Sequence, residues 1–122
     1  MISVDPSSPL SPVEQIRSQL AAQIRTGQIP ADARLPPVRQ LAADLRVSAG
    51  SVAKAYRELE SSGLIRTARA AGTRVNPGYA TTEPLIQAAE NLAHQAIKDG
   101  LSLTEAQGLL AHAWAQTRPT SK

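Results

Sequence analysis

The chain has 122 residues, enough for one ordinary domain or for a small domain with an appendage. It contains no cysteine, which excludes disulfides and thiolate metal sites, and no apolar run approaches the roughly 18 residues of a membrane span. The net charge of +3 is unevenly placed, with ten Arg or Lys against six Asp or Glu over residues 1–78 and three against four over residues 79–122. The first part is therefore the one equipped to meet a polyanion. Residues 1–12 lack the basic start and apolar centre of a signal peptide, so a cytoplasmic, soluble protein with no membrane partner is expected. Tyr56, Tyr79 and Trp114 are the only aromatic rings. That is poor equipment for stacking on single-stranded bases.

Ser11, Pro12 and Glu14 spell a capping box with Pro at the first helical position. Val13, Ile16, Leu20 and Ile24 then recur at helical spacing, and Gly27 supplies a stop. The Pro-rich connection QIPADARLPP leads into a short second helix with Val38, Leu41, Ala42 and Leu45 on one face and Pro37 in its first turn. After a break at residues 46–48, a third helix runs to about Ser62 with Val52, Ala55, Tyr56 and Leu59 turned inward, and Gly63 ends it. The small Ala42 lets the third helix cross the second closely. Residues 64–67 and 73–75 read as two short strands around a tip containing Gly72. The fold class is mainly α with a small β-hairpin wing, a winged helix-turn-helix.

NPGYATTEP reads as a linker, which places the domains at 1–78 and 79–122. Residues 84–99 form a helix with Leu85, Ala89, Leu92 and Ala96 on one stripe, widened by Ile86, Ala93 and Ile97, and Gly100 terminates it. Ser102 and Glu105 make a second capping box for a helix carrying Leu103, Ala106, Leu110, Ala113 and Trp114. Such a pair is too small to hold a core alone and needs a partner surface. A second copy of the chain is the expected source, with Leu85, Ala89, Leu92, Ala96, Leu103, Leu110 and Trp114 as the dimerisation residues.

Leu35-Pro36, Arg39, Leu41-Ala42, Val47-Ser48, Val52, Leu59-Glu60, Gly63-Leu64-Ile65 and Gly72-Thr73 occur in a fixed order over roughly residues 10–76. In this the chain resembles the DNA-binding domain of the GntR family of bacterial transcription regulators. Lys54-Ala55-Tyr56 and the brief two-helix tail are similar to the YtrA subfamily. The resemblance implies a homodimer whose C-terminal helices pair, without a separate effector domain, and operators near genes for membrane transporters or the regulator's own operon. Three positions depart from the family pattern. Arg46 stands where many members have Gly, Pro37 replaces a frequent capping Ser, and Ala49-Gly50 replaces a common Arg-Thr at the head of the third helix.

Those small residues have a reading in physical terms. The major groove of B-DNA is about 12 Å wide and admits a helix whose leading end fits among the base edges. Ala49, Gly50 and Ser51 let the backbone approach, Ser48 caps the helix, and exposed N–H groups at a helix start attract phosphate. Lys54 lies one turn beyond Gly50 and reaches toward a base edge or phosphate, while Arg57 is a candidate backbone contact. The resemblance adds Arg39, near the start of the second helix. Arg69 at the wing tip is a candidate for the flanking minor groove, with Gly72 and Thr73 allowing close approach to phosphate. The bland alternatives are a surface position for Arg39 or its ion pair with Asp44, a solvated Lys54 paired with Glu58, a simple helix irregularity at Gly50 and a flexible, solvated wing tip at Arg69.

The sequence contains no nucleophile–base–acid pattern, no phosphate-cradling Gly loop and no metal spacing. His94 and His112 fall on different helices and read as ordinary surface residues, and Trp114 as a core or interface anchor. No catalytic residue, cofactor or metal is expected, and the protein is not read as an enzyme. A small-molecule effector is left open without being identified. The expectation is a dimeric, sequence-specific repressor of transcription that binds double-stranded DNA at an inverted repeat with half-sites about one helical turn apart. The alternative is a protein–protein interaction module that uses a winged helix and a helical assembly tail.

Overall fold

The computed structural model describes residues 2–68 and 72–117. Two compact units divide the chain, Met1–Thr81 and Thr82–Lys122. The first contains α1 (Pro12–Arg25), α2 (Val38–Leu45), α3 (Ala49–Ser61) and the hairpin of β1 (Ile65–Ala68) and β2 (Gly72–Val75). The second contains α4 (Glu83–Lys98) and α5 (Leu103–Thr117).

The apolar stripes read from the sequence close on one another in the first unit. Ile16, Leu20 and Ile24 of α1, Leu41 and Ala42 of α2, and Val52, Ala55, Tyr56 and Leu59 of α3 share one core with Leu35, Leu64, Ile65 and Val75. Fully burying a side chain of the Ile, Leu or Val class contributes about 1.5–3 kcal/mol, so this cluster supplies the main drive for folding. Ala42 is buried between α2 and α3, where a larger residue would hold them apart.

The helix ends follow local chemistry. Ser11 Oγ accepts from the Glu14 N–H at 3.1 Å, but the Glu14 carboxylate turns to Arg17 instead of returning to Ser11. The guanidinium of Arg17 holds the Glu14 carboxyl below its usual range. At the second box both halves form: Ser102 Oγ accepts from the Glu105 N–H at 3.1 Å, and Glu105 accepts from the Ser102 N–H at 2.8 Å. Pro37 sits one residue before α2, as its cap. Arg46 adopts the left-handed conformation, φ 60° and ψ 46°, where Gly would be unstrained. Gly63 ends α3 with φ +86°, and a Cβ there would fall 2.8 Å from the Tyr79 hydroxyl. Both its backbone and its neighbour require Gly.

The N-terminal residues and the stretch after the wing also belong to the first unit. Ile2 is buried in the core, and Gln15 ties the preceding strap down by accepting from the Asp5 N–H and donating to the Asp5 and Leu10 carbonyls. Beyond the wing, Asn76 Nδ2 donates to the Gly63 carbonyl at 2.8 Å. Arg25 lies over the Tyr79 ring, 5.6 Å from its centroid, and the Thr81 N–H donates to the Arg25 carbonyl. Residues 76–81, read above as linker, are therefore packed chain.

The hairpin pairs Ile65 with Val75, Arg66 with Arg74, Thr67 with Thr73 and Ala68 with Gly72. Residues 32–35 line the other edge of β2 through Asp32 N–H to Val75 O, Leu35 N–H to Thr73 O and Val75 N–H to Ala33 O, at 2.8, 2.8 and 3.0 Å. The Tyr56 hydroxyl then fastens α3 to this stretch, donating to the Pro36 carbonyl at 2.6 Å.

Burial pushes the Tyr56 phenol up to about 12 from the ordinary 10. A group held neutral in the folded state gives full stability below the unfolded value and loses it as pH rises through the folded one. Stability is expected to fall by about 2–3 kcal/mol between pH 10 and 12 from this residue alone. In Tyr56→Phe the loss over that window should shrink by that amount, while stability at pH 7 drops by about 1 kcal/mol for the missing hydrogen bond. Urea denaturation across the pH range measures both.

Candidate nucleic-acid interface

Helix α3 has two faces of opposite character. Its buried side is Val52, Ala55, Tyr56 and Leu59. Gly50, Lys54 and Arg57, spaced by four and three residues, fall on the opposite side and are exposed. Ser48 has extended backbone, and its Oγ accepts from the Ser51 N–H at 3.1 Å and lies 3.0 Å from Ser51 Oγ. The N–H groups of Ala49 and Gly50 have no acceptor within the helix and point out of its end. Ala49 and Gly50 are exposed, and Ser51 is half-buried.

Gly50 has room around it. A Cβ built there meets nothing nearer than Ser48 Oγ at 3.9 Å. The fold itself does not require a small residue at this position, in contrast to Gly63.

Neither ion pair is formed among the described residues. Glu58 faces Arg17 of α1 at 3.8 Å rather than Lys54, and Arg39 forms no ion pair with Asp44 among the described residues. Arg39 is exposed on α2, off that helix's buried stripe, and Arg57 and Lys54 are exposed on α3. Of the residues read from the sequence, Ser48, Ala49, Gly50, Ser51, Lys54 and Arg57 thus lie on or at the start of α3, and Arg39 lies on α2.

The wing contributes differently from the sequence reading. Arg69 lies outside the described residues. Thr73 is half-buried opposite Thr67. Gly72 has φ +74°, and a Cβ there would fall 2.8 Å from Arg34 Nε and 3.0 Å from its NH2 nitrogen. The space over Gly72 is filled by the Arg34 side chain. Sequence reasoning passed over Arg34, Arg66 and Arg74. Their only common signal is register, because Arg34 bridges Arg74 across one edge of β2 and Arg66 pairs with Arg74 across the other.

In the second unit, Ala96 is the one dimerisation candidate that is buried, at 6% exposure, whereas Leu85 and Trp114 are 59% and 66% exposed. Ala89, Leu92, Leu103 and Leu110 line a shallow cleft between α4 and α5. Among the described residues no group of His, Cys, Asp and Glu side chains is arranged to hold a metal ion, and no helix is long and apolar enough to cross a membrane.

Residues 12–75 match the family described as bacterial regulatory proteins, gntR family. The chain belongs to the GntR family. It is 37% identical over 99 residues to the HTH-type transcriptional regulator Rv1152 of Mycobacterium tuberculosis, covering 81% of this chain and 82% of that one. It is 38% identical over 82 residues to the HTH-type transcriptional repressor YtrA of Bacillus subtilis, covering 67% of this chain and 63% of YtrA. The DNA-binding domain of AraR, solved in complex with an operator, superimposes with a TM-score of 0.51 at 26% identity, covering 62% of this chain and 94% of that one. The GntR match spans the helices, the turn and both strands of the wing, so the fold class is a winged helix-turn-helix.

The open space at Gly50 makes a direct stability prediction for this GntR protein. Gly50→Ala should stabilise the fold by up to about 1 kcal/mol, the difference in helix propensity, as read from the urea midpoint at pH 7. A loss of stability would mean that the position is closed by contacts.

Proposed function

We propose that this GntR-family regulator is a dimeric, sequence-specific repressor that binds double-stranded DNA in the cytoplasm and has no enzymatic activity. The observation that carries the reading is the leading end of α3, which is exposed, capped and kept slim by a Gly that the protein's own packing does not demand. A helix end of that shape suits the major groove, with Ala49 available to a thymine methyl and Lys54 to a guanine edge or a phosphate. Arg39 and Arg57 supply further exposed positive charge on α2 and α3. AraR's operator complex and the repressor YtrA support the choice of partner and of sign.

Dimerisation through α4 and α5 rests on area. Leu85, Ile97, Leu103, Leu109, Leu110 and Trp114 are all more than half exposed, a density of apolar surface that marks an interaction site. A second copy then presents a second α3, and the target is an inverted repeat with half-sites about one turn, roughly 34–36 Å, apart.

Selection from a random duplex pool should return such a repeat. On the selected operator, log affinity should fall linearly with log salt, as expected when several phosphates are neutralised. Arg39→Ala and Gly50→Leu should each weaken operator binding by roughly tenfold or more, equivalent to about 1–3 kcal/mol, with the thermal midpoint nearly unchanged for Arg39→Ala. Binding to no duplex in the pool would favour the interaction module instead. The double variant Leu85→Glu, Trp114→Glu should sediment as a monomer and bind the operator far more weakly. If it sediments as a dimer, the tail assignment fails.

A further inference from the structure

The wing carries three arginines in one cross-strand row. Arg74 on β2 pairs with Arg66 on β1 and bridges Arg34 on the other edge. Directly paired residues on neighbouring strands share a face, and like charges placed that way repel. Two of the three have partners at residue 32: Arg66 donates to the Asp32 carboxylate at 2.7 Å, and Arg74 NH1 donates to the Asp32 main-chain carbonyl at 2.8 Å. Both of these side chains lean toward residue 32. Arg34 runs the other way, over Gly72 toward the wing tip.

Arg34 is the informative member. It is exposed, and its guanidinium makes no hydrogen bond or ion pair with any described residue. It is nevertheless placed, because its backbone is paired to β2 and its guanidinium occupies the space that a Gly72 side chain would take. A planar, five-donor cation held against a strand with its donors unspent suits a bidentate phosphate contact. Gly72 therefore serves as the seat of Arg34.

We propose that Arg34, seated on Gly72, binds a backbone phosphate of the duplex and positions the domain without reading sequence. The inference rests on the reading of the protein as a binder of double-stranded DNA.

The test uses the full-length protein with two probes, the selected operator and a random-sequence duplex of equal length, each titrated with salt. Arg34→Gln should lower affinity for both by a similar factor, about three- to tenfold, and reduce the magnitude of the salt slope by about 0.9, the value for one phosphate contact. Arg34→Lys, which keeps the charge, should recover most of the slope. An unchanged slope in Arg34→Gln overturns the proposal, as does a loss confined to the operator, which would indicate base readout. A lowered thermal midpoint in both variants, with both losing affinity equally, also overturns it, because the residue would then be structural. If the parent protein binds neither duplex, the DNA-binding reading itself falls and this proposal with it.

Discussion

The hydrogen bond from the Tyr56 hydroxyl to the Pro36 carbonyl joins parts of the chain that sequence order keeps apart. Pro36 ends a stretch whose preceding residues pair with β2, bury Leu35 in the core and lead directly into α2. Residues 32–36 are thus the common reference for the wing, for the entry to α2 and, through Tyr56, for α3. A buried phenol has to find an acceptor or bear the cost of an unsatisfied donor. Satisfying it here fixes the rotation of α3 about its axis. With Val52, Ala55 and Leu59 inward, that rotation leaves Gly50, Lys54 and Arg57 no choice but to face out.

Three glycines illustrate how the same residue serves different ends. Gly63 is dictated twice over, by a left-handed backbone and by the Tyr79 hydroxyl at the place of its Cβ. Gly72 is favoured by its positive-φ backbone, and the Arg34 side chain lies over it. Gly50 lies in ordinary helix with open space beside it, so neither its backbone nor its neighbours dictate a Gly. Sequence alone could not separate these cases, since each shows as one letter near the end of an element.

What could be read from the sequence was whatever depends on neighbours a few residues away. The inward faces of α1, α2 and α3 followed from apolar spacing, and Ser48 and Ser102 announced helix starts through local capping chemistry. The left-handed Arg46 stands where the resemblance puts Gly, the residue that takes this conformation without strain. Interactions between distant residues were not foreseeable in the same way. Gln15 and Gln19, which tie down the N-terminal strap, look like solvated helix residues until the strap is seen beside them. Tyr79 looked like part of a linker until Arg25 and Gly63 were found against it. Arg34 belongs to a Pro-rich connection with no strand pattern, and only its bridge to Arg74 reveals a row of three cations. Glu14 shows the limit of even a local motif, because Arg17, one turn on, competes for its carboxylate and wins.

The departure at Ala49-Gly50 bears on how affinity and specificity divide in the proposed complex. An arginine at a helix head supplies bidentate readout of guanine, worth about 1–3 kcal/mol of discrimination per contact. Ala and Gly supply shape and close approach but few donors, so a single domain of this kind discriminates weakly. Phosphate contacts of the Arg34 type add affinity without discrimination, since every duplex presents the same backbone. One domain would then bind many sequences at similar strength. Specificity has to come from requiring two domains at a fixed separation, because a mismatched spacing forfeits the second site's whole contribution. On that argument the exposed apolar surface of α4 and α5 would do more, in the proposed dimer, than hold two copies together: it would supply the spacing rule that the slim head of α3 does not provide by itself.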